Sequence, residues 1–592
     1  MTGVRSASDG EAPEAASVPE AAPAPASPSA LAPFRHPIFL ALWTASLVSH
    51  VGGLIQGVGA AWLMTALSPS ANVVALVPVA TVLPIMLFSL PSGAVADVWD
   101  RRTVMLVAQG LMLATSAALA ALAWLGLVTP GLLLALTFLL GCGGALYGPA
   151  WQSSVREQVP RQDLPAAVAL NSAGFNLARA AGPALGGVLV AAAGAPAAFL
   201  VNALTYFGLI GVLVRWRRPP TPAGLPPEGL GPAMLAGLRY AGLSRSMRAV
   251  LLRAAAFGFS AAALWATMPL VARDLLGGGA VVFGSLLAAF GAGAVGGAFV
   301  GARLRDRLSS EAIVAGASAA IAAAGAVVAL SASIPITWAA MALAGMAWVL
   351  ALSTFNITVQ LRTPRWVVGR ALAVYQAAAF GGLAAGGWSW GVVADRYDLP
   401  TSLLAASAVL LAAALVGRLL PMPAAEGAGV EPSPAAPADF GVDLDGDSGP
   451  VVVSVEYRVS PSDAAAFVRA AHRLRRARRR NGAHRWALLQ DAADPEIWVE
   501  RFETPTWLDR LRLGDRMTVA DREIEAGVRA FHRGDASPVT RHLLAHDPTE
   551  PEDGRASSGH GLALAIDPHP SPALGGRTRI AAVPDRRPKT AA

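Results

Sequence analysis

Three polar residues stand deep inside long apolar stretches of this chain: His50, Asn176 and Arg179. An ionised group at the centre of a bilayer costs roughly 2.5 to 3.5 kcal/mol on insertion scales, so such residues are kept for a substrate, an ion or an internal partner. Counting 1.5 Å per helical residue puts Arg179 about 20 Å from the start of its apolar segment, near the midplane. A guanidinium there suits a substrate with anionic or many acceptor oxygens, and it equally suits a carbonyl clamp that fixes helix packing. No Asp or Glu falls in the middle of an apolar segment, which leaves His50 to carry a proton, since imidazole titrates near pH 6.5. A hydrogen bond across helices is the plainer reading of that histidine. Gln56, Tyr147, Trp265, Asn356, Tyr375 and Gln376 complete a candidate cavity set, chosen for polarity or aromaticity within central segments.

A second constellation is the charged turn Pro91 to Arg102, PSGAVADVWDRR, between two apolar segments. Clustered charges belong at a membrane surface, so this turn marks where one helix leaves lipid and the next enters. Gly93 and Asp97 form a GxxxD step: glycine lets backbones approach, and one turn later the acid can cap the next helix or reach a partner. Asp100, Arg101 and Arg102 follow directly. An offset of 204 residues carries Gly93 to Gly297 and Arg101 to Arg305. The same offset carries Pro160-Arg161 to Pro364-Arg365 and Gly182 to Gly386. One offset fitting several connections argues for a parallel duplication, as in some secondary transporters.

The elements that must position these residues are transmembrane helices. Apolar residues make up 54% of the chain and charged residues 14%, which excludes an ordinary string of soluble domains. Segments long enough to cross about 30 Å of hydrocarbon fall near 38–64, 72–95, 103–126, 129–150, 166–193, 195–215, 248–272, 279–302, 311–332, 334–357, 367–393 and 399–420, about twelve spans. The connections after even-numbered spans hold about sixteen arginines and the others about two, Arg273 and Arg396, which puts both termini in the cytoplasm of a plasma-membrane protein. Lys589 is the only lysine, so the basic balance reflects arginine-rich coding and no nucleic-acid partner is implied. The lone Cys142 lies in an apolar run and supports neither a disulfide nor a metal site. No metal or cofactor is called for.

Residues 1–33 read as a disordered cytoplasmic tail. Two six-helix halves follow, 34–215 and 248–420, joined by a cytoplasmic loop over 216–247. A Pro-, Ala- and Gly-rich linker occupies 421–449, and 547–592 reads as a second disordered tail. Between them, 450–546 alternates as Val451 to Val459 strand, Pro461 to Arg480 helix with a Ser462/Asp463 cap, His484 to Leu489 and Ile497 to Phe502 strands, broken helix over Trp507 to Phe531, and Val539 to Leu544 strand. The order βαββαβ predicts a ferredoxin-like α+β domain. Its run RLRRARRR reads as a solvated or headgroup-facing helix end, and Trp486, Trp498 and Trp507 read as core.

From about Phe34 to His546 the chain resembles the major facilitator superfamily, within it the group related to the enterobactin exporter and called transmembrane secretion effectors. The resemblance is carried by GAVADVWDRR, by LYGPAWQSSVREQVPRQDLPAAVALNSAGFNLARAAGPALGG and by VQLRTPRWVVGRALAVYQ. It implies an all-α bundle of twelve helices in two repeats. It also implies that Asp97 latches the halves, with the start of span eleven near Gly369 and Arg370 as its receiver. Here Val98 and Asp100 replace the Arg and Gly usual in the superfamily's loop. Gly182, Pro183, Gly186 and Gly187 resemble the end of the antiporter motif of drug:proton exchangers, where close helix contact is the competing role. Gly391-Val-Val-Ala-Asp395-Arg396 matches GxxxDR better than the loop itself does, but it falls at the outer end of span eleven and is assigned an ordinary interfacial role. The 450–546 domain resembles the dimeric α+β barrel fold of small antibiotic-biosynthesis monooxygenases, which implies dimerisation or regulation through that domain.

The reading is a secondary active exporter, working by alternating access and coupled to protons, with a small molecule as substrate and no catalytic residues. Siderophore, drug and metabolite all fit the pattern. A membrane-tethered monooxygenase-like enzyme and a non-transporting receptor or scaffold are the alternatives; neither requires a six-plus-six duplication.

Overall fold

Inside lipid no water serves the backbone, so an apolar chain closes its hydrogen bonds within helices. The computed structural model describes residues 31–160, 162–216, 230–423, 429–431, 433, 445–534 and 536–545, without the side chains of 94, 96–98 and 230. Expectations for 1–30, for the first part of the central connection, for most of the linker and for 547–592 lie outside the described residues. The helices are α1 (Pro37–Leu67), α2 (Ala71–Val98), α3 (Arg101–Trp124), α4 (Pro130–Gln158), α5 (Leu164–Arg215), α6 (Leu230–Leu243), α7 (Arg245–Leu270), α8 (Ala280–Arg307), α9 (Ser310–Leu330), α10 (Ile334–Leu361), α11 (Val368–Arg396) and α12 (Leu399–Val416). Ser70, Thr129, Ser244, Ser309 and Asp398 each accept a backbone N–H three residues on, which caps α2, α4, α7, α9 and α12. Among the described residues, ten helices are long and apolar enough to cross a membrane.

Helix α5 holds 52 residues and would be about 78 Å long if straight. It folds back at Gly194, whose φ of 76° lies in the left-handed region that glycine tolerates. The two legs flank α1 in opposite senses. Gly174, Gly182 and Gly186 meet Trp43, Leu54 and Val58 in ascending order, whereas Ala198 meets Gly59 and Asn202 meets Gly52 in descending order. In the other half the 204-residue offset reappears as geometry: Gly386 packs on Phe259, and those two positions are the counterparts, within one residue, of Gly182 and Leu54.

The connection expected as a loop over 216–247 carries α6. Its Ala233, Ala236, Tyr240 and Ala241 are buried, and it contacts the ends of α2 and α11. Tyr240 donates to the Arg362 carbonyl at 3.1 Å, and a Cβ at Gly237 would stand 2.8 Å from that of Arg370. We call this end of the bundle the tail end and the opposite one the far end.

The C-terminal domain comprises β1 (Val451–Arg458), α13 (Ala464–Asn481), β2 (His484–Gln490), β3 (Ile497–Thr504), α14 (Trp507–Arg516), α15 (Val519–Arg529) and β4 (Val539–Leu544). Asp463 is the N-cap of α13, but its carboxylate accepts from Arg533 at 3.1 Å and not from the helix backbone, so the expected Ser462/Asp463 cap is only positional. The strands form one antiparallel sheet in the order β2-β3-β1-β4. Tyr457, Phe467, Leu474, Phe502, Leu513 and Val528 fill the space between sheet and helices, with Trp486, Trp498 and Trp507 packed around them. Within the arginine run, Arg473, Arg476 and Arg479 are exposed at helical spacing, but Arg478 is buried. Its guanidinium lies 2.9 Å from Glu525 and 3.4 Å from Glu500, and Arg480 pairs with the fully buried Asp521. The expected solvated helix end is therefore half an internal charge network. The domain docks on the tail end: Arg239 lies 3.3 Å from His484, the Arg480 guanidinium stands 5.8 Å from the Tyr240 ring, and Arg516 stands 4.4 Å from the Trp366 ring.

Candidate functional site

Helix α1 and the first leg of α5 bring His50 and Arg179 to one aromatic ring. His50 meets Phe175 edge-on with centroids 5.4 Å apart, and the Arg179 guanidinium stands 5.3 Å from the same ring. Phe175 and Arg179 are four residues apart on one helix, the spacing at which side chains stack. His50 Nδ1 lies 2.7 Å from the Ser46 carbonyl oxygen, so Nδ1 is the donor and Nε2 keeps the lone pair. Among the described residues, Arg179 has no ion pair or hydrogen bond. Its backbone carbonyl abuts Gly291 of α8, where a Cβ would come within 2.5 Å. Arg179 thus lies in a mid-bundle position where the first half meets the second. Asn176 sits on the same leg, one turn before Ala180, which also abuts Gly291.

The motif glycines build this junction. Gly182 and Gly186 pack on α1, while the Pro183 carbonyl and Gly187 pack on Gly284 of α8. Small residues let three backbones converge where a larger side chain would part them.

Across the junction, α7, α8 and α10 assemble an aromatic cluster. Trp265 meets Phe290 at 4.7 Å and Trp348 at 6.2 Å, and Trp348 packs on Phe257 at 5.7 Å. The indole N–H groups of Trp265 and Trp348 are buried and have no hydrogen-bond partner among the described residues, and such donors are costly to leave unpaired. Sequence reading selected Trp265 but missed Trp348 and Phe290, because an aromatic residue in an apolar run carries no local mark of which way it faces.

Other selected residues serve packing within one half. Gln56 Oε1 accepts from Ser116 Oγ and Asn202 Nδ2, both at 2.5 Å, which ties α1 to α3 and to the second leg of α5. Tyr147 is buried against Trp151 at 5.8 Å in the first half's own core. Tyr375 donates to the Leu352 carbonyl at 3.3 Å, joining α11 to α10. Asn356 accepts from Gln360 at 2.5 Å near the tail end of α10, off the midplane. Gln376 is half-buried beside Tyr375. Polarity and aromaticity, the grounds for selecting these positions, do not fix azimuth on a helix.

At the tail end, Arg101 pairs with Glu157 of α4 at 2.6 Å, and Arg102 donates to the carbonyls of Leu213 and Val214 at 2.7 and 2.8 Å. Both arginines staple the α2–α3 turn to their own half. Asp100 is the N-cap residue of α3. The side chain of Asp97 lies outside the described residues. Beyond the neighbouring turns of its own helix, no described atom stands within 4 Å of a Cβ built at Gly93 or Gly369. A separate cavity of about 410 Å³ opens beneath Met422, lined by Arg305, Glu311, Thr354 and Thr358 on the second half, and its α10 wall brackets Asn356.

A family profile described as transmembrane secretion effector matches residues 28–550. The multidrug efflux pump Tap of Mycobacterium tuberculosis is 26% identical over 403 residues, covering 65% of this chain and 94% of that protein. The staphyloferrin A transporter of Staphylococcus aureus is 26% identical over 166 residues, 28% of this chain and 42% of that one. Among solved structures, a bacterial homologue of the human lysosomal transporter Spinster, in an inward-facing and unoccupied conformation, superposes with a TM-score of 0.52 at 16% identity, covering 66% of this chain and 97% of its own. The POT family transporter PepTSo gives 0.54 at 16% identity, with the same coverage.

Proposed function

This chain belongs to the transmembrane secretion effector family, and we propose that it moves its substrate along the junction between its two halves with Arg179 as the group that engages it. The protein is a secondary transporter that exports small molecules, a multi-pass protein of the plasma membrane. The single observation that carries the site is the guanidinium of Arg179, held mid-bundle on Phe175 with no acid beside it among the described residues. A half-buried cation without an acidic or hydrogen-bonding partner among the described residues is expensive in a bundle. A ligand carrying carboxylate, phosphate or several acceptor oxygens would relieve that cost, and the orphan indole N–H groups of Trp265 and Trp348 offer further donors on an aromatic wall. Polyoxygenated siderophores and drugs fit this chemistry, in keeping with the named relatives, a multidrug pump and a staphyloferrin A transporter.

Twelve crossings are the reading that the geometry supports best: ten apolar helices, one of which folds back into two antiparallel legs, and α11, which runs the length of α2. The arginine excess at the tail end then puts the C-terminal domain and both termini in the cytoplasm. The sheet order β2-β3-β1-β4 supports a ferredoxin-like domain. Its docking on α6 and Trp366 favours a regulatory role for 450–546, and dimerisation would use the face of the sheet away from the helices. Proton coupling falls to His50 Nε2, which shares Phe175 with Arg179, so that a proton and an anionic group would be sensed at one ring.

Transport into inverted vesicles tests this reading with matched anionic and neutral compounds. Arg179→Ala should lose the anionic ones selectively. Equal transport of both classes by Arg179→Ala in folded protein removes Arg179 from the site.

A further inference from the structure

The segment Gly391 to Asp395, given only an interfacial role from sequence, makes the most direct polar contact between the halves at the far end. Asp395 Oδ1 accepts from the Ala71 backbone N–H at 2.6 Å, and Oδ2 accepts from the Ser70 hydroxyl at 2.5 Å. Ser70 already caps Val73 of α2, so the first helical amide is left for another acceptor. An acid from the opposite half fills that place. The spacing explains how it gets there. A Cβ at Gly387 would stand 2.7 Å from Val79 Cγ2, and one at Gly391 would stand 2.8 Å from Ala75 Cβ, so two turns of α11 lie hard against α2 before Asp395 reaches its N-terminus. On the other side of the same corner, Arg273 of the turn after α7 donates to the Thr65 carbonyl at 2.9 Å. The α1–α2 corner is thus held from both sides by the second half.

We propose that Asp395 is a latch that keeps the far end closed and is released each time that end opens. The carboxylate is attracted to the positive end of α2 and is hydrogen-bonded there, yet it is exposed to solvent and salt, which suits a contact that must break and reform. Its part in transport rests on the alternating-access reading above, but opening of the far end can be read without any substrate.

The test uses the full chain in detergent with Cys142→Ala and a reporter cysteine, Ser68→Cys, at the corner, where Ser68 is 8% exposed. Asp395→Ala should raise the maleimide labelling rate of the reporter roughly three- to tenfold, the worth of a lost cap. Asp395→Asn, which keeps an acceptor oxygen, should raise it less. Gly391→Ala should raise it as well by wedging α11 from α2, and Arg396→Ala, one residue on and exposed, should not. Added salt should speed labelling of the parent and leave Asp395→Ala unmoved. If Asp395→Ala fails to fold, as judged by its thermal unfolding, Asp395→Asn and the salt series decide. Parental labelling in a folded Asp395 variant, or an equal rise in Arg396→Ala, overturns the latch and leaves the transporter reading standing.

Discussion

The guanidinium of Arg516 stands 4.4 Å from the centre of the Trp366 ring, so the C-terminal domain and the α10–α11 turn share a stacked contact. Arg516 is buried in this contact and reaches back to the Asn481 carbonyl at 3.4 Å. Trp366 lies two residues before α11, and Tyr240 on α6 meets the Trp366 ring edge-on at 6.2 Å. The domain therefore braces the tail end without approaching Arg179.

A chain ended after Pro423, and the point variant Arg516→Ala, should keep equilibrium affinity within about twofold, because remote sites add nearly independently. What should change is the tail end itself. A desolvated cation–π contact is worth up to about 2 kcal/mol, so amide exchange in α6 and the α10–α11 turn should quicken several-fold. Complete loss of ligand binding in a folded truncation would instead place recognition in the C-terminal domain.

Arg179→Ala should weaken binding of an anionic substrate by roughly ten- to a hundredfold, the worth of a charge-assisted hydrogen bond of about 1.5 to 3 kcal/mol. Arg179→Lys keeps the charge but loses the planar fork, and should recover only part of the affinity. Maximal rate at saturating substrate should fall less than affinity does. A rate loss at unchanged affinity would reassign Arg179 to helix packing.

His50→Gln removes the titrating nitrogen and keeps a donor for the Ser46 carbonyl, which His50 reaches at 2.7 Å. If His50 carries the proton, efflux driven by a pH gradient should vanish while substrate exchange without a gradient persists. Gradient-driven efflux at the parental rate would show that another group couples the proton.

The fold was legible where composition and length decide the outcome. Every apolar run became a helix or a leg, and Gly194 marks the fold-back because no other residue takes a φ of 76° so cheaply. The strands of the C-terminal domain were legible through alternation, and the end of α13 through Asn481-Gly482. What sequence concealed was azimuth and long-range partners. Gln56 and Tyr147 are polar residues turned into their own half. Arg478 belongs to a run that looks solvated, because its acids, Glu500 and Glu525, stand 22 and 47 residues away. For Asp395, counting spans gives the end of a helix but not the neighbour it touches.

Glu525 makes the C-terminal domain sensitive to pH. Burial would raise the Glu525 carboxyl, but Arg478, with Arg529 and Arg522, brings it from 4.5 down to about 2. A folded value below the unfolded one means stability that is present above pH 4.5 and lost as pH falls toward 2. His542 behaves likewise over a higher window: burial first and then Arg510 lower it from 6.5 to about 4, so its neutral form is favoured in the fold and stability is lost as pH drops from 6.5 to 4. Proteolytic resistance of the domain in the full chain should thus decline in two stages. Arg478→Ala, which leaves Glu500 and Glu525 buried without their partner, should cost about 3 to 5 kcal/mol. Resistance unchanged from pH 7 to 3 would contradict both assignments.

The last prediction sets the two GxxxD steps against each other. Gly93 and Asp97 end α2 at the tail end, and Gly391 and Asp395 end α11 at the far end. In this structure Gly391 is pressed on Ala75, whereas a Cβ at Gly93 would meet no described atom of another helix within 4 Å. The far-end step is engaged and the tail-end glycine is not. If Asp97 serves the start of α11 when the tail end closes, Asp97→Asn weakens that state alone. At about 1 kcal/mol for an acid at a helix N-terminus, its population should fall roughly fivefold. With Ser68→Cys as reporter, Asp97→Asn should then slow far-end labelling, Asp395→Asn should speed it, and the double variant should return toward the parental rate. Transport should be lower in both single variants, since each biases a cycle that needs both closures. Normal transport and unchanged labelling in folded Asp97→Asn would leave PSGAVADVWDRR as a loop that only turns the chain at the membrane surface.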